Sequence, residues 1–157
     1  MSQLASALFR QDHPSPDRTL LLLMRFGHNP WRATVHRLIR DTATTLGFDV
    51  VRADDRDYSG ELWTNVKLCL DNTALAIAVF DGVEHNLAAD TANLAVELGY
   101  LFARDTPCLI LRERSLPQPP AMLAHRLHTP FDALDLDGTL QPPVQHWLTA
   151  HAARVVA

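Results

Sequence analysis

The sequence predicts an α/β protein: a five-stranded parallel sheet in the order 2-1-3-4-5, with helices on both faces. Three observations predict it. Compact apolar runs bounded by turn residues recur at residues 19–26, 48–53, 73–80 and 107–111. Segments with apolar residues at helical spacing alternate with them. Covered faces and right-handed crossovers then favour this doubly wound, flavodoxin-like order.

Residues 1–18 are polar, contain Pro14 and Pro16, and read as an N-terminal leader with little structure; the domain proper spans 19–157. The run 19–26 is a buried first strand. Trp31, Val35, Leu38, Ile39 and Leu46 repeat at helical spacing, with Pro30 suited to the first turn and Gly47 to the stop. Residues 48–53 form the second strand. Ser59 is a candidate N-cap for a helix carrying Leu62, Val66, Cys69 and Leu70, which Asn72 closes. The third strand, 73–80, ends at Asp81. Residues 82–90 read as a polar loop. The next helix has the core stripe Leu94, Leu98, Leu101 and Phe102 and runs to about Ala103. The fourth strand is 107–111. A proline-rich connection (113–120), a short helix (121–127) and a short fifth strand (129–132) follow. Val144, Leu148, His151 and Val155 mark a closing helix.

At 157 residues the chain suits one domain with one core. Apolar content of 47 % and charged content of 20 % are ordinary for a soluble globular protein. The net charge of −4 disfavours a general nucleic-acid surface. Lys67 is the only lysine, and arginine supplies the remaining positive charge. Guanidinium groups grip phosphate or carboxylate with two prongs, although a GC-rich coding sequence accounts for the bias better. Cys69 and Cys108 lie in apolar segments and read as small core residues in a reducing compartment. No secretory h-region opens the chain, and the run Leu20 to Met24 is too short to span a bilayer. A cytoplasmic protein without a membrane or direct nucleic-acid partner is expected.

The candidate site centres on Glu97. It falls on a helix that follows the third strand, near the C-terminal edge of the sheet, where open α/β sheets bind ligands. On the helical wheel it borders the core stripe, beside Asn93, Tyr100 and Arg104. A carboxyl half against apolar packing is where a catalytic or sugar-binding acid is expected. The loop Arg52-Ala53-Asp54-Asp55 ends the second strand at the same edge, and serves equally as a charged loop or as a ribose or phosphate contact. Met24-Arg25-Phe26-Gly27-His28-Asn29-Pro30 has a single glycine, which excludes a Walker loop and argues against a dinucleotide fingerprint. Any phosphate would have to meet Arg25, Arg52 or a helix N-terminus.

Asp135-Leu136-Asp137-Gly138-Thr139-Leu140 matches the aspartate-nucleophile signature of haloacid-dehalogenase-type phosphatases. Only residues 141–157 follow it, too few to supply the rest of that site, so the match reads as chance in a turn. His125 and His128 lack a neighbouring carboxylate or cysteine at ligand spacing and read as solvated surface histidines, so no metal is expected.

Several segments together resemble one group. Met24-Arg25-Phe26, Val51-Arg52-Ala53-Asp54, the strand closing in Asp81, Asn93-Leu94-Ala95-Val96-Glu97-Leu98-Gly99-Tyr100 and Thr106-Pro107-Cys108-Leu109-Ile110-Leu111 occur in the expected order. So does the stretch from Leu116-Pro117 through Arg126-Leu127 to Phe131-Asp132. They look like bacterial TIR-like (Toll/interleukin-1 receptor-like) nucleotide-binding domains, related in fold to nucleoside 2-deoxyribosyltransferases, over about residues 19–132. The group's Asn-Pro-Asn and Met-Pro-Phe stand here as Thr91-Ala92-Asn93 and Met24-Arg25-Phe26.

The resemblance implies cleavage of the nicotinamide–ribose bond of NAD, which is substrate and not cofactor, by an NAD-depleting effector of antiphage defence. Glu97 matches the catalytic glutamate. Asn93 and Asp81 would orient it or the ribose. Arg25, Phe26, Asp54 and Tyr100 would line the nucleotide site. Self-association is implied too, and a sensor or activating partner protein would be needed. Nicotinamide leaves as a neutral base, so one carboxylate suffices. An ordinary nucleoside needs a proton donor for its departing base, which Asp81 would supply. The alternatives are a nucleoside or nucleotide N-glycosidase or 2-deoxyribosyltransferase, and a non-catalytic nucleotide-binding or self-assembling module.

Overall fold

The computed structural model describes residues 3–27, 29–82, 87–116 and 126–155, and for 87–91 and 154–155 the backbone alone. Five parallel strands form one sheet: β1 (Thr19–Leu23), β2 (Asp49–Val51), β3 (Leu75–Phe80), β4 (Cys108–Glu113) and β5 (Thr129–Phe131). Their order is β2-β1-β3-β4-β5, as the sequence predicts. The register pairs Leu21 with Val51 and Ala76, and Ile77 with Leu109.

Strand side chains alternate between two apolar layers. Leu21, Leu23, Ala76, Ala78, Phe80 and Ile110 face one layer, under α3 (Leu62–Asp71) and α4 (Leu87–Ala103). Leu20, Leu22, Ile77, Val79 and Leu111 face the other, under α2 (Pro30–Thr45) and α6 (Gln141–Val155). Both faces being covered is why β1 and β3 are buried at every position and, Thr19 apart, apolar.

Local signals set the helix ends. The Asn29 side chain accepts from the backbone N–H groups of Trp31 and Arg32, opening α2 with Pro30 in its first turn. Gly47 takes a φ of +78° after the C-cap Leu46, the left-handed geometry that glycine adopts without strain. Glu61, rather than Ser59, caps α3. Its carboxylate accepts from Trp63 N and Thr64 N, while Ser59 Oγ bonds the backbone of Glu61. Asp135 caps the short helix α5 (Leu136–Thr139) by accepting from Gly138 N.

Three further expectations change. Residues 1–18 are not a structureless leader: Gln3–Asp12 form a helix, α1, that packs on α3. Ala5 and Phe9 are its buried anchors, and a single alanine–phenylalanine i, i+4 pair was too sparse a signal beside two prolines. His13 Nδ1 stands 2.6 Å from Asp49 Oδ2 and its Nε2 3.2 Å from the Tyr58 hydroxyl, which donates to Asp12. The segment 82–90 is not all loop, since α4 already begins at Leu87. The strand expected over 19–26 leaves the sheet after Leu23, so that Met24, Arg25 and Phe26 overhang its C-terminal edge. The helix expected over 121–127 lies mostly outside the described residues, and Leu127 is fully exposed outside any helix. Among the described residues no helix is long and apolar enough to cross a membrane.

Candidate functional site

A cleft of about 550 Å³ opens at the C-terminal edge of the sheet. Its floor is the overhang of β1, Met24 to Phe26; one wall is the first turns of α3, the other the middle of α4. Strand order reverses between β1 and β3, which is where a doubly wound sheet leaves a crevice between helices on opposite faces. The volume is within the range of small-molecule sites.

Glu97 lies in this cleft with Asn93, one turn earlier on α4. Leu94, Val66 and Met24 surround it with apolar surface. Burial pushes the Glu97 carboxyl up from 4.5 to about 7, and no neighbouring cation offsets it. That difference corresponds to about 3 kcal/mol held against the charged form. The same burial, with smaller contributions from Asp55, Glu97 and Asp54, pushes the nearby Cys69 thiol up to about 12. Such a thiol is no nucleophile at neutral pH.

Arg25 and Phe26 join Glu97 and Asn93 in the cleft. Phe26 is half-exposed on the rim, whereas Arg25 is buried with its guanidinium turned towards Asp81, Nη1 to Oδ1 3.9 Å.

Asp81, Asp54 and Tyr100 do not line the cleft, contrary to expectation, and each has an evident alternative attachment. Asp81 is 2 % exposed and takes a two-pronged grip from Arg32, Nε to Oδ2 at 3.1 Å and Nη2 to Oδ1 at 2.9 Å. It locks α2 to the end of β3 rather than facing a sugar. Asp54 follows the edge strand β2 and pairs with Arg52 at 2.7 Å at the surface. Tyr100 is one turn beyond Glu97, and α4 runs back from the C-terminal edge, so the ring sits farther down the helix pair. There its hydroxyl donates to Asp71 at the end of α3, alongside Lys67 and Arg104.

Sequence reasoning missed the α3 wall: Glu61, Leu62 and Trp63. The available signal was the exposed apolar pair Leu62-Trp63 in the first turn of a helix that starts at the ligand edge. Leu62 is 67 % and Trp63 46 % exposed, which the core does not explain. Glu61 accepts from Thr64 and Trp63, which holds its carboxyl below the usual range, so it is charged at neutral pH. Asn65 secures this wall: Nδ2 donates to the carbonyls of Ala53 and Arg56, and Oδ1 accepts from Tyr58 N.

A second groove, of about 690 Å³, lies between α2 and α5. Polar residues such as Thr34, Arg37, Asp41 and Asp137 line it, and no strand end reaches it. Among the described residues no group of three or more His, Cys, Asp or Glu is placed to hold a metal ion. His128 is half-buried, and His125 lies outside the described residues.

No protein-family model matches the sequence, and no curated protein matches it. Among solved structures the chain is similar to a 2-deoxyribosyltransferase from the psychrotolerant bacterium Bacillus psychrosaccharolyticus. The two are 15 % identical with a TM-score of 0.54, over 76 % of this chain and 90 % of that one. The comparisons carry the deoxyribosyltransferase side of the resemblance and none of the TIR-like side. At that identity the likeness is one of architecture: the chain has a 2-deoxyribosyltransferase-like α/β fold.

Proposed function

We propose that the chain breaks the N-glycosidic bond of a nucleoside or nucleotide, with Glu97 as the carboxylate that meets the anomeric carbon. One observation carries the reading: a half-buried carboxyl, raised to about 7, in a ligand-sized cleft at the strand-order reversal. The fold shared with a 2-deoxyribosyltransferase supports it. A ribosyl group develops positive charge as its base departs. A desolvated carboxylate beside that charge recovers in the transition state the energy its burial costs beforehand. Glu97 either bonds C1′ as the base leaves with the bonding pair, or holds the oxocarbenium ion until water or a second base attacks C1′. Asn93, one turn away, is positioned to bond a sugar hydroxyl.

The second reading is hydrolysis of NAD as a TIR-like effector that self-associates and answers to an activating partner. Its support is that the other carboxyl among the described residues lining the cleft, Glu61, is held charged as a helix cap and is no proton donor. The cationic nicotinamide of NAD leaves without needing a proton. A chromatographic assay of nucleosides, deoxynucleosides, NAD and NADP at high protein concentration tests both. Glu97→Gln is expected to lower turnover at least about 100-fold. Undiminished turnover by that variant overturns the proposal.

A further inference from the structure

We infer that the cleft selects a nucleoside with a cationic base and no phosphate, of the N-ribosylpyridinium kind. The inference rests on the N-glycosidic reading above and narrows its substrate.

Two helix N-termini at this edge, seats that a phosphate commonly takes, are filled by the chain itself. At the N-terminus of α3 the donors Trp63 N and Thr64 N are taken by the Glu61 carboxylate, at 3.1 and 2.6 Å. At the N-terminus of α2 the donors Trp31 N and Arg32 N are taken by Asn29 Oδ1, at 2.9 and 3.3 Å. These are the backbone groups that otherwise receive anions. Three arginines near the edge are committed as well. Arg25 turns to Asp81, Arg32 grips Asp81, and Arg52 pairs with Asp54.

Beside Arg25, whose guanidinium turns to Asp81, the cleft presents two carboxylates and two aromatic faces. Glu61 and Glu97 both line it, the first always charged at neutral pH. Phe26 and Trp63 line it too, each 46 % exposed. Carboxylates and open aromatic faces together form a receptor for a flat organic cation, and they repel a phosphate monoester or diphosphate. The same choice resolves the chemistry. When the C1′–N bond of an N-ribosylpyridinium breaks, the bonding pair returns to the ring nitrogen and a neutral pyridine departs. No proton donor is required, and Glu97 stays ionised to meet C1′.

Two measurements on the wild-type chain test the inference separately from the reading beneath it. The first is calorimetric binding of nicotinamide riboside, nicotinamide mononucleotide, NAD and inosine. Nicotinamide riboside is expected to bind at least about 10-fold tighter than the other three. At pH 7 it should release a fraction of a proton, read by repeating the titration in buffers of different ionisation enthalpy, because a bound cation drives Glu97 to its charged form. Equal or tighter binding of the mononucleotide, of NAD or of inosine overturns the inference. The second measurement is turnover of the same four compounds by wild type and Glu97→Gln. Glu97-dependent turnover that favours inosine or a phosphorylated compound overturns the inference and leaves the N-glycosidic reading standing. Absence of Glu97-dependent turnover, together with selective binding of the riboside, overturns the reading and leaves the charge selection standing.

Discussion

Glu97 is the residue whose ionisation reaches furthest. Its carboxyl titrates near 7 in the folded chain and near 4.5 when unfolded. Below about pH 4.5 both states hold the proton and burial carries no penalty. Between 4.5 and 7 the unfolded chain loses its proton first, so stability falls as pH rises. Above 7 the full penalty, about 3 kcal/mol at most, is present. Glu97→Gln is therefore expected to raise the thermal midpoint at pH 8 and to leave it unchanged at pH 4, by calorimetry or circular dichroism. Activity that needs the ionised carboxylate rises over the same range, and kcat/KM should climb through an apparent pKa near 7. Removing the charge of Asp81 is expected to lower stability instead. Asp81→Asn leaves Arg32 buried without its countercharge and should cost about 3–5 kcal/mol in chemical denaturation. The place of Glu97 at the ligand edge was legible in the sequence because its helix follows the apolar strand that closes in Asp81. The commitment of Asp81 to Arg32 was not, since the two are far apart in the chain and helical periodicity says nothing about which cation a buried aspartate meets.

At the scale of elements, α3 and α4 make the cleft and α1 supports it. Phe9 is 1 % exposed, with its ring centroid 4.7 Å from that of His13 and 5.4 Å from that of Tyr58. Phe9→Ala should cost about 3–5 kcal/mol, a large effect for a helix expected to be unstructured. The strands and α2 were legible because apolar runs and an Asn-Pro start are strong local signals. The α3 wall was not. A Trp in a first turn reads as core or surface with equal ease until the opposing helix is in place, and Glu61 follows a plausible serine cap. Tyr100 was misplaced for a related reason: a helical wheel shows angular neighbours of Glu97 but not that each later residue moves about 1.5 Å back from the sheet edge.

For the whole molecule, the parallel order follows from chirality and coverage. Because β1 and β3 are central and buried throughout, their amides should exchange with solvent slowest, while β5 and α1, at the margins, should exchange early. Mass-spectrometric exchange on the intact chain checks this; fast exchange at Ala76–Val79 would contradict the central placement of β3. The distribution of charge over the assembled edge was the least legible property. Arg52 with Asp54 and Arg40 with Asp55 cancel locally, so counting residues along the chain could not tell a basic edge from an acidic one.

The docking of α1 against α3 has a practical consequence. Gln3–Asp12 brace the back of the wall whose front carries Leu62 and Trp63. A purification tag fused at the amino end, or trimming by a protease that removes Phe9, is expected to disturb ligand affinity although neither touches the mouth of the pocket. A carboxy-terminal tag, beyond α6 on the opposite layer, is the safer handle for every assay described above.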